Sequence, residues 1–272
     1  MRRATLALLP LLLLVGCTSA SGTDEEDPAP APTAAPASPD GRWQPRPGVD
    51  WQWQLNGKLD TSVDVPVYDI DGFDQTAAVV TALHAKNRKV ICYLSTGAYE
   101  DWRPDAADFP KSVIGKGNGW EGERWLDIRQ LSILEPLMTK RLDMCKEKGF
   151  DAVEPDNMDG YLNDTGFPLK AEDQLAYNRL IAGLAHDRGM SVGLKNDMDQ
   201  IPDLLADFDF AVNEQCAQYK ECDTLTPFIE AGKAVFHVEY ELPTSRFCGE
   251  SKRLRLSSLE KKYELGAWRK AC

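Results

Sequence analysis

Beyond residue 42, apolar side chains gather in seven short runs. These are WQWQL (51–55), VPVYDI (65–70), KVICYLS (89–95), FDAVEP (150–155), MSVGLKN (190–196), FDFAVNE (208–214) and KAVFHVEY (233–240). They are rich in Val, Ile, Phe and Tyr, and most lack strict apolar–polar alternation. That pattern predicts strands covered on both faces in a parallel sheet. Three stretches between them have helical spacing: TAAVVTALHAKN (76–87), LEPLMTKRLDMCKEKG (134–149) and AEDQLAYNRLIAGLAHDRG (171–189). The last two close on a Gly suited to a left-handed C-cap. Strands alternating with helices predict an α/β fold. Seven strands, with an eighth placed near LGAWRKA (265–271), predict a single-domain (β/α)8 TIM-type barrel over residues 43–272. A doubly wound sheet is the weaker alternative, because no G-x-G-x-x-G opens a helix and no P-loop occurs.

The first 42 residues follow other rules. MRRATLALLPLLLLVGC (1–17) opens on a pair of Arg and continues in a Leu-rich run. The run is shorter than the roughly 20 apolar residues that span a bilayer, and it has the pattern of a signal peptide. Its end, LVGC, resembles the lipobox of bacterial lipoproteins, in which the Cys, here Cys17, carries lipid. An ordinary secretion signal is the alternative. Residues 18–42, TSASGTDEEDPAPAPTAAPASPDGR, hold almost no large apolar side chain. They predict a disordered Pro/Ala-rich tether, partly extended. The expected location is extracytoplasmic, lipid-anchored to the bacterial cell membrane through Cys17, with no other membrane contact.

The formal net charge is −12. Loss of Arg2 and Arg3 with the leader leaves 29 basic and 43 acidic residues, a balance of −14. This argues against a nucleic-acid partner and is compatible with a cationic one. Besides Cys17 the chain has six Cys. An even number in an exported chain favours disulfides, and six allow 15 connectivities. The expected set is Cys92–Cys145, joining a strand to a neighbouring helix, Cys216–Cys222, and Cys248–Cys272, pinning the C-terminus. No C-x-x-C pair occurs and only three His are present, so a zinc site is not expected. A monomer without metal or cofactor is expected.

Polar residues mark the strand ends. Asp69 and Asp71 close the second run, and Glu154 and Asp156 the fourth. Lys195, Asn196 and Asp197 close the fifth, Asn213 and Glu214 the sixth, and Glu239 the seventh. One acidic strand end is more often a turn, because Asp and Asn bond their own backbone there. Glu forms turns poorly, so Glu154, Glu214 and Glu239 carry more weight. In a (β/α)8 barrel all these ends open on one face, where such barrels build their sites. An EF-hand is excluded by Val67, Met158 and Asp159, which stand where ligands or the Gly should be. Two carboxyl groups at one mouth, one ionised and one protonated, fit glycoside hydrolysis. Crowding helps to keep one of them protonated. Tyr93, Trp120, Tyr219, Tyr240 and other aromatics also sit at or beyond strand ends, where sugar rings could stack, although each alone is more often a packing residue.

Seven blocks then recur in a fixed order: YDIDGFD (68–74), CYLSTGAYEDWRPD (92–105), WLDIR (125–129), GFDAVEPDNMDGY (149–161), GLKND (193–197), NEQC (213–216) and VEY (238–240). Together they resemble glycoside hydrolase family 114, the endo-α-1,4-polygalactosaminidases and their relatives, over most of residues 43–272. The resemblance implies a (β/α)8 barrel and endo cleavage of an α-1,4-linked, galactosamine-containing polysaccharide. It implies Asp156 as nucleophile and Glu214 as general acid/base. It implies substrate subsites lined by Asp69, Tyr93, Asp127, Arg129, Glu154, Lys195, Asn196, Glu239 and Tyr240. The implied partner is a cationic or partly deacetylated polysaccharide, whose ammonium groups an acidic mouth would attract. Two alternatives stay open: a surface lipoprotein that binds polysaccharide on the same barrel without cleaving it, and a metal-dependent enzyme that chelation would silence. Retaining and inverting outcomes are both open, with the resemblance leaning to retention.

Overall fold

The computed structural model describes residues 41–272. The expected signal peptide 1–17, the lipidation site Cys17 and residues 18–40 of the expected tether lie outside the described residues. In chain order the strands are β1 (Trp51–Gln54), β2 (Val67–Asp71), β3 (Lys89–Ser95), β4 (Ala98–Glu100), β5 (Ile114–Gly117) and β6 (Glu123–Leu126), then β7 (Ala152–Asp156), β8 (Ser191–Lys195), β9 (Phe210–Glu214), β10 (Val235–Glu239), β11 (Ser257–Glu260) and β12 (Lys270–Ala271). The seven apolar runs become β1, β2, β3, β7, β8, β9 and β10. The helices are α1 (Ala77–His84), α2 (Leu131–Lys148), α3 (Ala171–His186), α4 (Ile201–Leu204), α5 (Cys216–Tyr219), α6 (Thr226–Glu230) and α7 (Thr244–Leu254). Helix α2 stops at Gly149, whose φ of 91° is the left-handed cap its position predicts. Helix α3 stops sooner, at His186, and Gly189 takes its left-handed backbone after an extra turn. Among the described residues no helix is long and apolar enough to cross a membrane.

One curled sheet runs in the order β1-β2-β3-β7-β8-β9-β10-β11-β12. All its neighbours pair in parallel except β12, which lies antiparallel to β11. The Trp51 indole on β1 donates to Ser257 O on β11 at 2.9 Å, so the first and last parallel strands meet through a side chain. The eighth parallel strand is therefore Ser257–Glu260, not the segment 265–271, of which only Lys270–Ala271 joins the sheet, antiparallel. Apolarity does not reveal β11. Its Ser258 is buried through a 2.9 Å hydrogen bond with His237 instead.

Both faces of the sheet are covered, which is why its strands read as continuous apolar runs. The inner face carries Trp51, Trp53, Val67, Ile91, Phe210, Val212, Phe236 and Val238. Ring contacts of 4.7 Å (Trp51–Phe236) and 5.6 Å (Phe210–Phe236) fill it. The outer face carries Tyr68, Ile70, Val90, Leu94, Val153, Val192 and Leu194, packed with Leu83, Leu134, Met138 and Ile181 of the helices. A second, antiparallel sheet, β4-β6-β5, interrupts the alternation between β3 and α2. The sequence pattern does not predict it, because its strands are short and half exposed.

The disulfides are Cys92–Cys145, Cys216–Cys222 and Cys248–Cys272, the expected set. Cys92–Cys145 joins β3 to α2 across 53 residues. Replacing both residues with Ala is expected to cost about 2–4 kcal/mol, read as a lower midpoint of urea unfolding.

Candidate active site

Side chains alternate across a strand, so parity decides which strand-end residues enter the curled sheet. Asp69 follows Val67 inward on β2, and Glu154 and Asp156 follow Ala152 on β7. Lys195 follows Gly193 on β8, where an added Cβ would strike the Phe210 ring. Glu214 follows Val212 on β9, and Tyr240 continues the inward series of Phe236 and Val238.

These residues meet around one buried ammonium. Lys195 Nζ lies 3.1 Å from Glu154 Oε1, 2.9 Å from Asp156 Oδ1 and 3.4 Å from Glu214 Oε2. It also sits 4.9 Å from the centre of the Trp53 ring. The Tyr93 hydroxyl donates to Asp156 Oδ2 at 2.9 Å, and the Asn157 N–H donates to Asp156 Oδ1 at 2.9 Å. The Tyr240 hydroxyl donates to Glu214 Oε1. Asn196 donates to Glu214 Oε2 at 3.3 Å and accepts the Glu214 N–H at 3.0 Å.

The chain leaves each of the three central strands through left-handed backbone. Asn157 follows β7 with φ 64°, Asn196 and Asp197 follow β8 with φ 51° and 46°, and Gln215 follows β9 with φ 65°. Asn and Asp tolerate this region better than most residues, and such conformations cluster at functional sites. Gly97 secures the first turn. Its N–H and that of Thr96 donate to Asp156 O, each at 3.1 Å. A Cβ at Gly97 would lie 1.8 Å from Asn157 O, so no larger residue fits.

Charge is set by burial against proximity. Burial pushes the Asp156 carboxyl up, but the Lys195 ammonium and the bonds from Lys195, Asn157 and Tyr93 outweigh it and hold the group below the usual Asp value. Burial likewise opposes the Lys195 charge, and Asp156, Glu214 and Glu154 together hold it well above the usual lysine value. At the rim, burial and the charge of Asp156 push Asp159 up to about 6. Burial and the charge of Asp159 push Asp197 up to about 8.

A cavity of about 560 Å³ opens over this cluster, lined among others by Trp53, Tyr93, Asp156, Asp159, Lys195, Asn196, Glu214 and Tyr240. Trp120, Glu123 and Tyr263 extend its walls. An adjoining hollow of about 390 Å³ shares Asp159, Asn196, Glu214 and Gln215, and continues past Asp197, Asp199, Tyr219 and Glu221. The two form a groove with acids along its length and exposed aromatic rings beside it.

The structure thus brings Tyr93, Asp156, Lys195, Asn196, Glu214 and Tyr240 together on the cavity. Five other expected subsite residues do not line it. Asp69 and Glu154 are fully buried beneath the cluster and do not line the cavity. Glu239 has the opposite parity to Tyr240 and points outward. Its Oε1 accepts the Ala217 and Gln218 N–H groups at 2.8 and 3.3 Å and bonds His237 at 2.9 Å, so it anchors α5. Asp127 and Arg129 pair with each other through two bonds of 2.7 and 2.8 Å and do not line the cavity. They follow β6, which belongs to the antiparallel excursion, so its end is not aimed at the mouth.

Trp53, Glu123, Asp159 and Tyr263 are cavity residues that the sequence reading left off its site. Trp53 reads as plain core in WQWQ, although its parity and strand-end position could have marked it. Among the described residues, one group of possible metal ligands gathers, Cys216, Cys222 and His237. Its two sulfurs are bonded to each other, and His237 is bonded to Ser258 and Glu239.

Similarity to known proteins points the same way. A family model described as glycoside-hydrolase family GH114 matches residues 32–272. The crystal structure of Aspergillus fumigatus Ega3 in complex with galactosamine is 41% identical, covers 85% of this chain and 97% of its own, and superposes with a TM-score of 0.80. The glycoside hydrolase domain of PelA from Pseudomonas aeruginosa is 13% identical, covers 82% of this chain and 98% of its own, and has a TM-score of 0.63. The trehalulose synthase MutB from Pseudomonas mesoacidophila MX-45 is 8% identical, covers 70% of this chain and 56% of its own, and has a TM-score of 0.51. The last two share the fold alone. A search of curated proteins found no match. With a family match over residues 32–272 and 41% identity to Ega3, the chain belongs to glycoside hydrolase family 114.

Proposed function

We propose that the protein is a retaining, endo-acting hydrolase of α-1,4-linked, galactosamine-containing polysaccharide, with Asp156 as nucleophile and Glu214 as general acid/base. The shared ammonium carries this reading. Asp156 Oδ1 and Glu214 Oε2 lie 2.9 and 3.4 Å from Lys195 Nζ. The two oxygens are therefore closer to each other than the roughly 6.5 Å at which inverting pairs begin. A separation below the inverting range favours direct attack by one carboxylate.

In the first step an oxygen of Asp156 bonds to the anomeric carbon. The bond to the leaving sugar breaks, and Glu214 gives its proton to the departing oxygen. In the second step Glu214 takes a proton from water, the water oxygen bonds to the anomeric carbon, and Asp156 leaves as a carboxylate. The first step needs Asp156 ionised, which Lys195 favours. It also needs Glu214 held in place, which Tyr240 and Asn196 do.

A cationic, partly deacetylated polymer fits the acids along the groove, and the similar Ega3 structure holds galactosamine. The Trp51–Ser257 contact supports reading the curled sheet as a closed (β/α)8 barrel. The leader MRRATLALLPLLLLVGC supports a lipid anchor at Cys17 that would tether a monomeric enzyme outside the bacterial cell membrane.

The purified protein is expected to shorten a partly deacetylated α-1,4-galactosamine polymer, seen as new reducing ends and a falling mean mass. A polymer that is bound but left intact would favour a non-catalytic polysaccharide-binding barrel. Asp159 supplies a pH signature. Its carboxyl is neutral below about 6 and charged above, so KM for the deacetylated polymer should fall between pH 5 and 7. The expected fall is about two- to fivefold, the worth of one well-placed ion pair. Steady-state kinetics of Asp159→Asn should lose that slope, and a fully acetylated polymer should never show it.

A further inference from the structure

Beneath the mouth lies a carboxyl that this chemistry does not use. Asp69, on the inner face of β2, is fully buried, and neither of its side-chain oxygens meets an N–H or O–H donor. Its hydrogen-bonding neighbour is a second carboxyl, Glu154, buried to the same degree. Glu154 Oε1 accepts Lys195 at 3.1 Å, and its Oε2 also lacks an N–H or O–H donor. Two touching carboxylates in a fully buried site do not both ionise. One keeps a proton, and that proton is the donor both groups otherwise lack. Glu154 touches the ammonium and Asp69 touches no cation, so the proton belongs on Asp69.

We propose that Asp69 is a neutral carboxylic acid whose O–H donates to Glu154, and that through Glu154 and Lys195 it acts as a positioning residue for Asp156. Its catalytic consequence rests on Asp156 being the nucleophile; its protonation rests on burial and the missing donors alone. The titratable groups that act on it from the packed strands are Glu154 and Asp156 on β7 and Lys195 on β8. Lys195 is the one cation among them. An ionised Asp69 would set a fourth carboxylate against that single ammonium and pull Glu154 away from it. As an acid it instead fixes the Glu154 oxygen that fixes Lys195. Burial first, then the Glu154 charge, hold the Asp69 carboxyl well above the usual value, in accord with this assignment.

The test pairs infrared spectroscopy with kinetics on wild type, Asp69→Asn and Asp69→Leu. Asn keeps the shape and an N–H donor, whereas Leu keeps only bulk. At pH 7 the wild-type minus Asp69→Asn spectrum should contain the C=O stretch of a protonated carboxyl, lost in the variant. Asp69→Asn should keep kcat within a few-fold. Asp69→Leu should lose kcat on the order of 100-fold, as expected for misplacement of a reacting group, with KM little changed. Its acidic limb should move to higher pH, because a loosened Lys195 favours the Asp156 carboxylate less. Should Asp69→Leu fail to fold, the spectrum and kcat of Asp69→Asn decide. Spectra differing only in the carboxylate region, or an Asn variant as impaired as Leu, would overturn the proposal. The infrared arm needs no substrate, so its result stands apart from any failure of the substrate assignment.

Discussion

Asp156→Asn is expected to lower kcat by roughly 10⁴- to 10⁶-fold, the scale seen when a covalent catalyst loses its nucleophile. The substitution keeps the shape of the side chain and an oxygen for the Tyr93 hydroxyl, which now donates at 2.9 Å. Lys195 keeps Glu154 and Glu214 as partners. The cavity should therefore still bind polymer, and affinity should change little. Stability should respond in a defined pH window. The folded Asp156 is held below its usual value, so it stabilises the fold above an unfolded pKa of about 4. That contribution is lost as pH falls through the lower folded value. The variant should unfold at a lower midpoint than wild type at pH 7, and the two should converge at the acid end. Single-turnover assays and urea unfolding at both pH values check this. Residual turnover within a hundredfold of wild type would remove Asp156 from the nucleophile's role.

Lys195→Met is the second large effect, and it should damage stability and activity together. Met has similar length and can stay over the Trp53 ring, but it leaves Glu154, Asp156 and Glu214 around an apolar side chain. Removing one partner of a buried ion pair costs about 3–5 kcal/mol. With their cation gone, the carboxyls bind protons more tightly in the folded than in the unfolded state. The variant should therefore gain stability as pH falls from 7 towards 5, relative to wild type over the same range. Asp156 would ionise at higher pH, so the acidic limb of kcat/KM should rise, and kcat near neutrality should drop on the order of 10²- to 10³-fold. Urea midpoints at pH 5 and 7, beside a pH–rate profile, test both parts. A variant with an unshifted acidic limb would mean that Lys195 does not set the charge of Asp156.

Much of this architecture is legible in the chain because burial on both faces leaves uninterrupted apolar runs. β11 hides because Ser258 is buried by bonding His237, and SSLE carries no apolar signal. The β4-β6-β5 excursion hides because it is short and half exposed, and with it hides Glu123 at the mouth. The concentration of acids at strand ends is visible in sequence. Whether an acid turns inward depends on parity, and one position separates Tyr240 on the cavity from Glu239 behind it. Asp127 and Arg129 came from motif resemblance alone, and the fold holds them as a pair before α2. Asp69 and Glu154 do face inward, but one layer too deep to touch a ligand. Trp53 shows the converse error: an apolar residue that reads as core supports the central ammonium.

The arrangement of Asp156 and Glu214 around one ammonium predicts a stereochemical result that proton NMR can read directly. Early in digestion of an α-1,4-linked galactosamine polymer, before mutarotation, the new reducing ends should be α anomers. β anomers as the first-formed product would contradict direct attack by Asp156.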